Sequence, residues 1–155
     1  MFVVESNRSC YPGWIPVGPS CLRFFVTTRR TWDGARASCR QQRGDLALLK
    51  DTVSFRRELI DLLVSITHSE TDFFVGFRRT RLKFGVASWL WNNGKNVDGK
   101  QWKNGYPVND DRNSCGALSV DQGKLVNTDC KNMNGFICES YQGIRRSLYC
   151  VRKAS

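Results

Sequence analysis

The chain has 155 residues, and 24 Lys and Arg against 14 Asp and Glu give a net charge of +10. That length supports one domain with its own core, and 41% hydrophobic and 12% aromatic residues exclude a disordered chain. One histidine, with no paired His/Ser, His/Cys or two-carboxylate motif, leaves acid–base and nucleophilic catalysis little to work with, so no enzyme is expected.

Met1–Glu5 lacks the basic start and long apolar run of a signal peptide. No segment approaches the roughly 20 apolar residues of a membrane span. Seven cysteines, none in a C-x-x-C pair, point to disulfides in an oxidising compartment rather than zinc or redox chemistry. A disulfide domain without a leader is expected to be a mature or excised piece, with membrane attachment only through a missing anchor. Asn7-Arg8-Ser9 is a glycosylation sequon.

Cys10 and Cys21 enclose a Pro- and Gly-containing stretch that suits a hairpin, and Leu22–Val26 reads as a strand. Thr31 is a candidate N-cap for a helix carrying Trp32, Ala35 and Cys39 on one face and ending at Gly44. Asp51-Thr52 starts a second helix over 52–66, with Phe55, Leu59, Leu62, Leu63 and Ile66 at helical spacing. His68, with Glu70 and Asp72 behind it, is either a metal candidate or an exposed loop residue. Phe73–Phe77 reads as a short buried strand. From about 78 to 113 the chain turns polar and glycine-rich yet keeps Trp89, Trp91, Trp102 and Tyr106. A loop of that length with large aromatics is expected to be functional and folded onto the domain. Strands are expected over 115–120, 123–127 and 134–139, with a turn at Asp121-Gln122-Gly123.

Those elements, in that order, resemble a C-type lectin-like domain. Phe74-Val75-Gly76-Phe77 stands where the family has its Trp-Ile-Gly-Leu strand. Trp91-Asn92-Asn93-Gly94 is similar to its Trp-x-x-Gly turn, and Trp102–Pro107 to its Trp-x-x-Gly-Glu-Pro. Gly135-Phe136-Ile137-Cys138-Glu139 matches its Phe-Ile-Cys-Glu ending. The resemblance spans residues 10–139, leaving 1–9 as an N-terminal extension and 140–155 as a basic tail. It implies an α+β fold: two helices flanking small antiparallel sheets, a long loop region, and the disulfides Cys10–Cys21, Cys39–Cys138 and Cys115–Cys130 of the long form. The bridge from Cys39 to Cys138 would be worth roughly 4–5 kcal/mol in the chain-entropy model. Cys150 is left over, as a free thiol or the bridge of a disulfide-linked dimer.

The family's sugar-binding members hold Ca²⁺ with Glu-Pro-Asn or Gln-Pro-Asp, an acidic residue before the next cysteine, and Trp-Asn-Asp. Here those places carry Tyr106-Pro107-Val108, Asn113 and Leu125-Val126-Asn127, although a one-residue shift would align Asn127 and Asp129 with the last triplet instead. Most anionic ligands are gone, so Ca²⁺ is not expected at the usual site. Pro107 is kept, and the resemblance implies that its bond is cis. Asn109, Asp110, Asp111, Asn113, Asn127 and Asp129 remain either as a rearranged metal or sugar site or as solvated turn residues. Tyr106 is expected on a contact face. Arg78, Arg79 and Arg81, with Arg145, Arg146, Arg152 and Lys153 at the C-terminus, form a solvated surface or bind sulfate or carboxylate groups.

The resulting expectation is an extracellular recognition module of a secreted or membrane-anchored receptor, in innate immunity or cell–cell contact. It needs no cofactor, although another divalent metal is possible, and takes a protein or glycan ligand, acidic in one version. Nucleic acid is not expected, because no nucleic-acid module is present. A lectin with a rearranged site and a cationic antimicrobial or toxin-like effector are the alternatives.

Overall fold

A computed structural model describes residues 2–67, 71–81 and 85–153. Strands β1 (Phe2–Ser9), β2 (Ile15–Val17) and β3 (Ser20–Arg30) precede helix α1 (Trp32–Gln41). Strand β4 (Gly44–Leu46) and helix α2 (Val53–Ile66) follow, then β5 (Phe73–Arg81) and β6 (Ala87–Trp91). Strands β7 (Cys115–Ser119), β8 (Lys124–Thr128), β9 (Asn134–Ser140) and β10 (Arg145–Arg152) complete the chain. The main sheet runs β2-β3-β9-β5-β7-β8, with β4 paired to β9 and β6 to β5. Its pairings are antiparallel except that of β5 with β9, which is parallel.

Strand periodicity divides the core. Phe73, Val75 and Phe77 of β5 point to a cluster with Phe55, Leu59 and Leu63 of α2. Phe74 points the other way, to Trp32, Ala35 and Cys39 of α1. Thr31 caps α1 by accepting from the Gly34 amide at 3.2 Å, and Thr52 caps α2 by accepting from Phe55 at 3.3 Å. Trp32 is fully buried, and its indole N–H donates to the Val75 carbonyl at 3.0 Å. The half-buried Glu139 carboxylate accepts from the Leu48 amide at 2.9 Å, and its partial burial pushes its pKa up.

Several expectations change in detail. Helix α1 ends at Gln41, short of Gly44, and the residue in the left-handed conformation after it is Arg43, at φ 62°. Gly44 opens β4, where a Cβ would collide with the Glu139 carbonyl and the Trp14 ring. Ile66 is 42% exposed and does not continue the buried face of α2. Strand β5 runs on to Arg81 and pairs with β6, so the polar stretch after Phe77 begins as a β-hairpin arm and not as loop. The flanking segments, for which the sequence carries no element signal, pair with each other: Phe2 lies opposite Arg152 and Ser9 opposite Arg145. Arg145 also places its guanidinium 4.6 Å from the centre of the Tyr11 ring.

All three disulfides are closed as the resemblance implied, with Cα separations of 5.7, 5.4 and 5.1 Å. No described helix is long and apolar enough to cross a membrane.

Gly76 is where β5 passes closest to its neighbours: a Cβ there would stand 2.5 Å from the Leu46 carbonyl oxygen and 3.1 Å from that of Ala47. Gly76→Ala is expected to cost about 1–3 kcal/mol and to lower the unfolding midpoint by about 2–4 °C per kcal/mol. Gly99→Ala, which meets nothing within 4 Å, should leave the midpoint unchanged. Thermal melts followed by circular dichroism compare the two.

Candidate functional site

The long loop leaves β6 through a turn in which Gly94 donates to the Trp91 carbonyl at 2.8 Å. It then makes a single 3₁₀ turn at Gly99–Gln101, capped by the Asp98 carboxylate. Aromatic packing fixes this half of the loop. Trp91 and Trp102 stand edge-on to Phe77 at 5.0 and 5.5 Å, and Trp89 meets Trp102 at 5.2 Å. These tryptophans are the loop's anchor, and Lys103 N–H donating to Leu125 at 2.8 Å ties it to β8.

The second half runs from Tyr106 to Ser114. The Tyr106–Pro107 bond is cis, as the resemblance implied. Tyr106 is half-buried against the α1 side of the core. Asn127, on β8 and 4% exposed, holds the rest. Its Oδ1 accepts from Val108 N–H at 2.7 Å, and its Nδ2 donates to the carbonyls of Val108 at 2.7 Å and Asn113 at 2.8 Å. Both amide N–H groups are thereby committed, and the oxygen is turned to the backbone. The sequence places Asn127 among metal candidates; the structure makes it the staple between the two sides of the loop. The legible signal is its position, a polar residue directly after the inward-facing Leu125 and Val126.

The other oxygen-bearing candidates serve separate turns. Asp110 accepts from Arg112 N–H at 3.0 Å, and that bond, helped by the Arg112 guanidinium, holds its carboxyl below the usual range. Asp111 pairs with Arg79 at 2.9 Å. Asp129 accepts from Lys131 N–H at 2.9 Å. Asn109 is exposed, and Asn113 contributes its carbonyl to Asn127. Among the described residues, no three His, Cys, Asp or Glu side chains converge on one point. His68 lies outside the described residues.

This donor set does not fit Ca²⁺. A site for that ion takes six to eight oxygens, mostly carboxylate and carbonyl. Tyr106 packs half-buried against the core, Val108 has no donor side chain, Asn113 offers an amide in place of a carboxylate, and the Asn127 Oδ1 already accepts from the Val108 amide.

The arginine cluster divides at its strand. Arg78 lies 5.0 Å over the Trp32 ring and 3.7 Å from Asp33. Arg79 and Arg81, on the opposite face of β5, line a cleft of about 230 Å³ with Ala87, Asp111 and Ser114. A larger groove of about 390 Å³, not anticipated from the sequence, separates α2 from the β7–β8 turn. Arg56 forms part of its wall. Its guanidinium donates to the carbonyls of Lys50 and Gly123 and to the Gln101 side chain. Burial lowers its pKa to about 10.

Asn127→Ala would strand the Val108 amide and the Val108 and Asn113 carbonyls. A cost of about 2 kcal/mol or more is expected, together with faster proteolysis between 104 and 113, read by thermal melts and limited digestion. An unchanged digestion pattern would refute the staple role.

The family model described as "Lectin C-type domain" matches residues 28–140. The C-type lectin lectoxin-Lio3 of Erythrolamprus poecilogyrus is 31% identical over 142 residues, spanning 88% of this chain and 84% of that protein. One subunit of the snaclec coagulation factor IX/factor X-binding protein of Protobothrops flavoviridis is 25% identical over 138 residues, spanning 87% of each chain. Human lithostathine superposes with a TM-score of 0.70 at 22% identity, over 84% of this chain and 98% of that one. Motifs, disulfides, fold and relatives agree, and the chain belongs to the C-type lectin domain family, a family of non-catalytic binding modules.

Proposed function

We propose that this chain is an extracellular recognition module that takes a protein ligand without a coordinated metal ion. The ligand would meet the face built by the Tyr106–Asn113 loop and strands β7 and β8. One observation carries the reading. Asn127 ties Val108 to Asn113 by three hydrogen bonds, so the loop is organised by an amide in the place where the family's sugar binders use a metal. The exposed part of that face presents Val108 at 42% exposure beside Asn109, Asp111 and Arg112. An aliphatic side chain rimmed by polar and charged groups is the usual make-up of a protein contact. The relative named for binding coagulation factors supports a protein ligand. Three disulfides support an extracellular setting.

Cys150 bears on assembly. It is exposed, lies opposite Val4 in the β1–β10 pair, and has no disulfide partner in the chain. In an oxidising compartment an exposed thiol of this kind supports a disulfide-linked dimer.

A glycan array probed with Ca²⁺ and again with chelator tests the main reading. No neutral sugar should bind in either condition, and the unfolding midpoint should be the same in both. Chelator-sensitive binding of mannose- or galactose-type sugars would overturn it. For Cys150, non-reducing gels should show a dimer that Cys150→Ser abolishes; monomer alone from the unmodified chain would end the dimer proposal.

A further inference from the structure

The cleft beside the loop face carries chemistry that the reading above does not use. Arg79 and Arg81 are two residues apart on β5 and project from the same side of the strand, roughly 7 Å apart along it. Ala87 of β6 and the loop residues Asp111 and Ser114 complete the walls. Arg79 is engaged at one nitrogen by Asp111, whose own carboxylate is 89% exposed and therefore a weak, water-screened partner. Among the described residues, no carboxylate lies within ion-pair distance of Arg81. Other arginines lie away from the cleft, on the α1 side of the sheet and on β3. Arg78 sits beside Asp33, and Arg30 packs beside Gly34, so both flank the first turn of α1. Arg29 and Arg81 are exposed at the ends of their strands.

We propose that the Arg79–Arg81 cleft binds a sulfate group of a linear sulfated glycan. Guanidinium forks match the planar oxygen pairs of such groups and stay charged at every physiological pH. A sulfate ester offers three acceptor oxygens and can bridge both arginines. A carboxylate would only exchange with the one Asp111 already supplies. Ala87 is the sole apolar residue in the lining, so the cleft offers nothing to the aromatic and aliphatic anchors that protein partners insert. A polyanion without apolar side chains fits it, and the chain's net charge of +10 favours its approach. This site goes beyond the protein-binding reading, borders its face at Asp111, and shares with it the absence of a metal.

Binding to immobilised heparin, measured by surface plasmon resonance in chelator, tests the site. The unmodified chain should bind, and desulfated heparin and a sialylated glycan should not. Arg79→Ala/Arg81→Ala should weaken binding about tenfold or more, the scale of a lost charged hydrogen bond. Arg57→Ala/Lys100→Ala removes the same charge on exposed residues elsewhere and should weaken it far less. Raising salt from about 0.1 M to about 1 M, which shortens the screening length from about 10 Å to about 3 Å, should abolish binding. Arg81→Ala alone, exposed and without an ion pair, guards against a folding artefact and should reproduce most of the loss. Equal losses in the two double variants would reduce the effect to net charge and overturn the site. Equal binding of the desulfated or sialylated glycan would overturn the sulfate assignment. Heparin binding that required Ca²⁺ would instead count against the metal-free reading of the domain, and the variants would still judge the cleft.

Discussion

The antiparallel pairing of β3 with β9 brings the two ends of the domain together, and the Cys39–Cys138 bridge fixes them there. Every element of the main sheet and both helices lie inside or against that closure. Strand β5 enters beside β9 in parallel, with Gly76 thin enough to pass the β4 backbone. Once β5 is set, its alternating side chains decide which helix covers which face. Strand β7 then pairs with β5, and β8 with β7. The order matters physically: a contact spanning 99 residues is expensive in chain entropy, and the disulfide removes much of that cost from the unfolded state.

Inside this frame the loop region is cross-linked by a side-chain amide. A coordinated ion would gather side chains from several segments by charge and would come and go with its concentration. The Asn127 amide gathers two backbone segments by neutral hydrogen bonds, buried enough to be shielded from water. The carboxylates left nearby are free to take local partners, and each does: Asp110 with Arg112, Asp111 with Arg79, Asp129 with the Lys131 amide.

Much of the fold is legible from the sequence because the signals are local. Thr31 and Thr52 announce their helices, and Phe55, Leu59 and Leu63 repeat at the helical period. The disulfide pairing follows from resemblance rather than from spacing, and the geometry agrees with it. What escapes depends on partners distant in sequence. Strand β6 reads as part of an aromatic loop and forms because Arg78–Arg81 present an open edge. Gly44 reads as a helix stop, yet its lack of a side chain serves Glu139, far along the chain. The site is half legible. The residue types at the loop can be compared with the family pattern, but the use of Asn127 cannot be read, since an Asn reads alike as ligand, turn former or staple.

The β1–β10 pair has a mechanical consequence. Phe2 faces Arg152, so the start of β1 and the end of β10 lie side by side. Tension applied across them would open the ribbon like a zipper, one cross-strand bond at a time, rather than shearing all bonds together. The ribbon would therefore yield at low force. Beyond it the load path runs through β3 and β9 into the Cys39–Cys138 bond, and the chain between those cysteines, which contains the loop face and the arginine cleft, carries none of it. The flanking strands act as a fuse that gives way first, while the recognition surface stays folded behind a covalent short-circuit.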